Sequence, residues 1–284
     1  MDGVLLVDKS VGISSFGVVS KVKKSLKTRD VGHCGTLDPM AEGLMVVCVN
    51  KALKIAKYLT EDRKRYIAKV KLGETTATLD VEGEVIEKRE VEKYDINYIE
   101  DTLKSFLGIN KQVPPMYSAI QVNGKRLYEY ARNNEKVDIP PREIEIYDIV
   151  LVEYKDDEIK FEVECSKGTY IRTLCADIAS RLNTIGYMTY LRRVKAGVFD
   201  IKDSSTIEEL ENGTYKMTSI KDALLSVGFD CIVASEYEKK MIKDGRTIDR
   251  KLIKKTLYVD DLNEPLAMYE YDDDAKVSKC LRKF

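Results

Sequence analysis

Histidine is nearly missing from this 284-residue chain, where His33 is the single example. Six cysteines (Cys34, Cys48, Cys165, Cys175, Cys231 and Cys280) lie far apart in the sequence and form no CxxC pair. Neither a zinc site nor a disulfide framework is therefore expected, and the cysteines read as small buried hydrophobes in a reducing compartment. There is no GxxxxGK[ST] loop and no GxGxxG turn, which argues against a nucleotide-hydrolysing enzyme, and the lack of a His/Cys cluster argues against a metal enzyme. No cofactor is expected. No apolar run approaches the ~20 residues of a membrane span, and Met1-Asp2-Gly3-Val4-Leu5-Leu6-Val7-Asp8 puts acids where a signal peptide needs positive charge. The chain is expected to be cytoplasmic, with no membrane partner. An excess of positive charge is also missing. The net charge of −1 by itself argues against a general nucleic-acid binder.

The charge is uneven, however. Residues 1–65 carry 12 Lys/Arg against 7 Asp/Glu, and the remainder 35 against 41. A basic N-terminal face could meet phosphates, or could be a solvated helix face. Hydrophobic residues at 44% and charged residues at 33% are ordinary for a globular protein. The length exceeds the ~100–200 residues of one domain, so one large domain with a small appendage is expected.

Ser14 and Ser15 can cap a helix with Phe16, Val19, Val22 and Leu26 on its apolar face and Lys21, Lys23, Lys24 and Lys27 between them. Leu44–Val49 reads as a strand buried on both faces, followed by a helix from Lys51 to Leu59. Tyr66–Leu72 alternates as a half-buried strand, and Ile99, Leu103, Phe106 and Leu107 mark another helix. Residues 113–142, with prolines near both ends, read as an excursion from the sheet. Strand alternation returns at Ile159, Phe161, Val163 and Cys165, and a helix after Gly168 carries Leu174, Ile178 and Leu182. Ser205-Thr206-Ile207-Glu208 has a capping-box pattern. After Gly228 come short strand-like runs, so the boundary is placed at 1–228 and 229–284.

The densest signal is Gly32-His33-Cys34-Gly35-Thr36-Leu37-Asp38-Pro39-Met40-Ala41-Glu42-Gly43-Leu44. Its glycines and proline specify a tight loop, and Pro39 restricts Asp38 to extended or turn geometry. Such a loop can present a carboxylate to a ligand. Asp-Pro is equally an ordinary turn, and turn chemistry alone leaves both readings open.

The GHxGTLDPxAxG string resembles the signature of the TruB-type tRNA uridine-55 pseudouridine synthases. Further similar motifs follow in order: Gly3-Val4-Leu5-Leu6-Val7-Asp8-Lys9, Tyr66 near a strand start, Gly73…Asp80…Gly83, Pro114-Pro115-Met116-Tyr117-Ser118-Ala119, Lys167-Gly168-Thr169-Tyr170-Ile171-Arg172, and Leu191-Arg192-Arg193…Gly197-Val198-Phe199. The resemblance covers roughly residues 3–228 and is weak beyond. Ser10 stands where the family often has proline, and Asn50 and Leu53 stand where a glycine-bearing helix start is usual.

The resemblance implies an α+β fold, with a mixed, mostly antiparallel central sheet, flanking helices and a small C-terminal β-rich, PUA-like module. It implies that Asp38 is the nucleophile in the isomerisation of one uridine in the T-arm of tRNA, without a cofactor. Arg172 would keep Asp38 charged, Tyr66 would transfer a proton, and Tyr170 and Leu191 would line the uracil pocket. His33 would hold the displaced base outside its helix, and Lys9 would support the site. The 113–142 excursion, with Lys125, Arg126, Arg132, Arg142, Tyr117, Tyr128 and Tyr130, has the basic-aromatic mixture that suits folded RNA. No obligate protein partner is evident. Two other readings are an RNA-guided enzyme of the same chemistry and a tRNA-folding chaperone, and assistance to folding can coexist with catalysis. Loss of residues 229–284 is expected to weaken tRNA binding more than chemistry.

Overall fold

The computed structural model describes residues 1–60, 63–118, 120–133, 135 and 137–284. Ala119 of the proline-rich motif and the side chain of Arg132 lie outside the described residues. The principal strands are β1 (Gly3–Lys9), β2 (Val31–His33), β3 (Glu42–Val49), β4 (Lys64–Leu72), β5 (Gly108–Gln112), β6 (Arg142–Lys155), β7 (Glu158–Cys165), β8 (Gly186–Ala196) and β9 (Ser205–Thr206). They line up as β9-β1-β3-β8-β4-β7-β6-β5, with β2 on β3. β1 runs parallel to β9, β3 runs parallel to β8, and the other pairs in this order are antiparallel. The sheet is thus mixed and mostly antiparallel.

β1 and β3 read as continuous apolar runs because each packs on both faces. Leu5, Val7, Met45, Val47 and Val49 enter one core, while Val4, Leu6, Leu44, Val46 and Cys48 enter a second on the opposite side. The period of two along a strand divides them so. Burying one such Val or Leu contributes roughly 1.5–3 kcal/mol. β4 is half-buried instead: Tyr66, Ala68, Val70 and Leu72 face the first core. On its other face Arg65 pairs with Glu162 and Glu164, and Lys69 with Glu158.

Helices α1 (Ser15–Leu26), α2 (Ile96–Lys104) and α3 (Ile171–Arg181) cover the first core. Ser14 caps α1 by accepting the Gly17 N–H. The buried stripe of α1 differs from expectation. Ser15, Val18, Val19 and Val22 face inward and Phe16 is 71% exposed, because positions i, i+3, i+4 and i+7 counted from Ser15 share a face. Phe106 and Leu107 lie beyond the end of α2. Phe106 is nevertheless buried, 3.7 Å beneath the Arg181 guanidinium.

The segment expected as a helix from Lys51 is a 3-10 helix, Asn50–Leu59, entered through Asn50 at φ 52°. Asparagine tolerates this left-handed conformation. Helix α4 (Ile207–Asn212) starts one residue later than expected. Thr206 caps it in a box with Glu209, while Ser205 pairs with Val7 in the sheet. Within 113–142 the chain forms a hairpin, Gln121–Val122 against Lys125–Arg126, and a short helix, Leu127–Arg132. The hairpin turns at Asn123 and Gly124 with φ of 50° and 80°, the signs of a type I′ turn.

Helix α5 (Ile220–Ser226) leads to a second sheet, β10 (Asp230–Val233), β11 (Thr256–Val259), β12 (Pro265–Asp272) and β13 (Val277–Lys283), which also carries α6 (Glu236–Lys243). Leu257, Val259 and Met268 of this sheet pack into the same core as Val4, Leu6, Leu44 and Val46. The two sheets therefore share apolar packing. Among the described residues no helix is long and apolar enough to cross a membrane.

Candidate active site

β3 and β8 pair only at Glu42–Arg192 and Gly43–Arg193. At this seam residues 34–41 form the loop that carries Asp38, and the carbonyls of the loop are bound from below by side chains. Ser15 Oγ donates to the Leu37 carbonyl and accepts the Leu37 N–H, each at 2.8 Å. Lys9, with no exposed surface, donates to the carbonyls of Ser10, Pro39 and Ala41. Arg193, 2% exposed, donates through Nε to the Leu44 carbonyl at 2.7 Å and through its Nη atoms to those of Gly35 and Thr36 at 3.1 and 3.3 Å. Gly43 has no alternative here. Its φ is 105°, and a Cβ would lie 2.3 Å from the Arg193 carbonyl oxygen.

Asp38 faces a cavity of about 500 Å³ whose walls include Tyr66, Tyr170, Arg172, Leu191 and Arg193, within the range of small-ligand sites. Arg172, in the first turn of α3, brings its Nε within 3.1 Å of Asp38 Oδ2 and an Nη within 3.2 Å of Asp80 Oδ2. Its remaining donors reach the Thr78 and Tyr117 carbonyls. Asp80 is itself fixed by the Thr78 hydroxyl at 2.5 Å and the Glu82 N–H at 3.0 Å. The guanidinium is thus locked in place before any ligand arrives.

Asp38 lies between opposing influences. Burial pushes its carboxyl above the ordinary carboxylate range and Asp80 adds to this, while Arg172 and Lys9 pull it down. Burial wins. Burial also raises the Tyr66 phenol, against the pull of Arg193, which keeps it protonated.

Five of the seven residues singled out from sequence, namely Asp38, Tyr66, Arg172, Tyr170 and Leu191, line the one cavity. Tyr170 is held through its backbone, where Gln112 accepts its N–H at 2.8 Å and donates to its carbonyl at 3.0 Å. Lys9 is a support beneath the loop. His33 lies on β2 outside the cavity lining, half-buried, with Nδ1 accepting the Gly35 N–H at 3.3 Å. Burial and then Arg193 lower its pKa, so the ring is neutral near pH 7. Sequence reasoning gave no role in the site to Asp80, Arg193, Ser15 or Gln112, because their partners in it stand 22 to 158 residues away in the chain. The cysteines are free, and Cys34 Sγ lies 3.5 Å from Cys48 Sγ.

Known proteins carry the same pattern. The profile of the TruB family pseudouridylate synthase N-terminal domain matches residues 23–171, and that of the tRNA pseudouridylate synthase B C-terminal domain matches residues 172–227. The chain belongs to the TruB family of pseudouridylate synthases. As such it is an isomerase. The tRNA pseudouridine synthase B of Clostridium kluyveri is 44% identical over 259 residues, covering 90% of this chain and 89% of the relative. That of Staphylococcus aureus strain MSSA476 is 39% identical and covers 94% of both. Among solved structures, a Cbf5-Nop10-Gar1 complex aligns with TM-score 0.68 and 22% identity over 95% of this chain and 78% of that one. An H/ACA RNP bound to a substrate RNA containing 2′-deoxyuridine aligns with TM-score 0.70 and 19% identity over 99% and 84%. These two likenesses show the fold.

Proposed function

We propose that this TruB-family enzyme converts uridine-55 in the T-arm of tRNA to pseudouridine, with Asp38 as nucleophile. The observation that carries the reading is the Asp38–Arg172–Asp80 chain at the wall of a nucleoside-sized cavity. A carboxylate can open a covalent route that divides one difficult step into easier ones. The N1–C1′ bond of the uridine breaks, the base turns, C5 bonds to C1′, and the proton lost from C5 is matched by one gained at N1. Nothing is added or removed overall, and a carboxylate can serve as the nucleophile without a metal or organic cofactor.

Arg172 holds the Asp38 carboxylate against the burial that disfavours it. Tyr66, a buried neutral phenol, is the proton-transfer residue, and Tyr170 and Leu191 enclose the base. Lys9 fixes the loop, and neutral His33 occupies the space that the extruded base leaves. Extrusion costs a few kcal/mol of unstacking, offset by contacts from residues 113–142 and from the 229–284 module, which serve as RNA-binding parts. The curated relatives named tRNA pseudouridine synthase B are 37–45% identical to this chain, whereas the Cbf5-Nop10-Gar1 and H/ACA RNP structures are 19–22% identical. This favours an enzyme that works in the cytoplasm without a guide RNA or protein partner, and help with tRNA folding rests on the same surface. The test is to incubate the protein with unmodified tRNA transcript, with and without chelator, and map pseudouridine at single-nucleotide resolution. One new pseudouridine at position 55 in both samples is expected. None there, or a dependence on added zinc, would overturn the reading.

A further inference from the structure

Arg193 has no part in the roles assigned above, yet it is the most enclosed cation in the cavity wall. Its hydrogen bonds run to three main-chain carbonyls, two before Asp38 and one after it. Among the described residues no Asp or Glu forms an ion pair with it. A guanidinium out of water is costly unless its charge is matched, and here the protein matches it with dipoles alone. Lys9 is held in the same way. Around the loop, Arg172 is paired with Asp38 and Asp80, whereas Lys9, on which Asp38, Glu42 and Glu82 also act, and Arg193 are held by main-chain carbonyls.

We propose that Arg193 is a positioning residue whose charge, which no carboxylate pairs, stabilises the anionic uracil released during isomerisation, while its hydrogen bonds hold both limbs of the Asp38 loop. This rests on the reading of the site given above. When the N1–C1′ bond breaks, the electron pair leaves with the base, and the ribose carbon is satisfied by a pair from the Asp38 carboxylate. The base then carries one negative charge until C5 returns that pair to C1′. At that moment Asp38 has given up its charge to the new bond and the base has taken one on, so the cations that faced Asp38 face the base instead. A preorganised charge directed at the place where charge develops needs no rearrangement during reaction. The influence of Arg193 on its neighbours is in keeping: it opposes the rise of the buried Tyr66 phenol and disfavours protonation of His33 and Lys9.

The test uses two T-arm hairpins, one with the target uridine and one with 6-azauridine in its place. At mildly alkaline pH the 6-azauracil ring ionises and uracil does not. The wild-type protein should bind the 6-aza hairpin about tenfold more tightly. Arg193→Gln should lose that preference, bind the uridine hairpin within about threefold of wild type, and turn it over 10²–10³-fold more slowly in single turnover, the loss seen when one preorganised donor is removed. Arg193→Lys, which keeps the charge but cannot reach three carbonyls, should retain the preference while turning over slowly. Equal affinity of the wild type for the two hairpins, or equal loss of preference in both variants, would overturn the proposal. Should Arg193→Gln fail to melt cooperatively, Arg193→Lys decides alone, and loss of its preference overturns the charge account. Failure of the wild type to modify the uridine hairpin would instead sink the reading of the site.

Discussion

Asp38 is a carboxylate kept where a carboxylate is uncomfortable. Its folded-state pKa lies above the ordinary 3.8, first through burial. For an acid shifted upward, folding favours the protonated form. The stability this gives is complete below pH 3.8 and lost as pH rises through the folded-state value. At neutral pH the ionised group therefore works against folding, as charged active-site groups often do. Asp38→Asn should abolish turnover while leaving tRNA affinity within about tenfold, since binding rests on many phosphate contacts. It should melt no lower than wild type at pH 7. Measurable pseudouridine from a preparation free of wild-type enzyme would remove Asp38 from the nucleophile role. The string around Asp38 made this residue legible. Asp80, buried at 1% exposure, was not, because nothing in the Gly73–Gly83 segment says that Arg172 will lie across it.

Elements with strong periodicity were read well, and misreadings came where two signals competed. In β4, β7 and α3 the spacing of apolar residues alone located the buried face. In α1, Phe16 and Val18 both fit a helical stripe, and the helix start selected Val18. Helix α3 also carries a strain the pattern could not reveal. Burial pushes Asp177 up to about 6, opposed by Arg181. By the same sign argument this group gives stability below pH 3.8 and withdraws it as pH rises through about 6. Asp177→Asn should therefore raise the melting temperature above pH 7 by about 2–4 °C, the shift expected of roughly 1 kcal/mol in a protein of this size. The gain should vanish below pH 4. A gain independent of pH would show that shape, and not charge, is responsible.

Across the whole molecule, the shared core changes what a truncation should do. The sequence suggested that loss of residues 229–284 weakens tRNA binding more than it slows chemistry, unless the module covers an apolar edge of the sheet. Leu257, Val259 and Met268 instead belong to the same buried cluster as Leu44 and Val46 of β3. Deleting 229–284 would remove part of that shared core and expose its apolar side chains, and patches of that kind drive association. The truncated protein should aggregate or melt without cooperativity, as measured by scattering and calorimetry. A monomeric fragment with a cooperative melt and an unchanged single-turnover rate at saturation would restore the simpler division between gripping and chemistry.

The sequence by itself determined the local facts: which runs are strands or helices, that Gly32–Leu44 holds a tight loop, and that Asp38 lies within it. These follow from side-chain period and turn chemistry, which act over a few residues. Only the tertiary structure decided which distant groups meet there. Arg172 lies 134 residues from Asp38 in the chain and Arg193 lies 157 from Thr36, and they are brought into contact because β8 pairs with β3 and α3 packs on β8. The charge balance of the cavity is a property of that assembly, since burial and pairing, which set the state of each ionisable group, exist only once the sheet has closed around it.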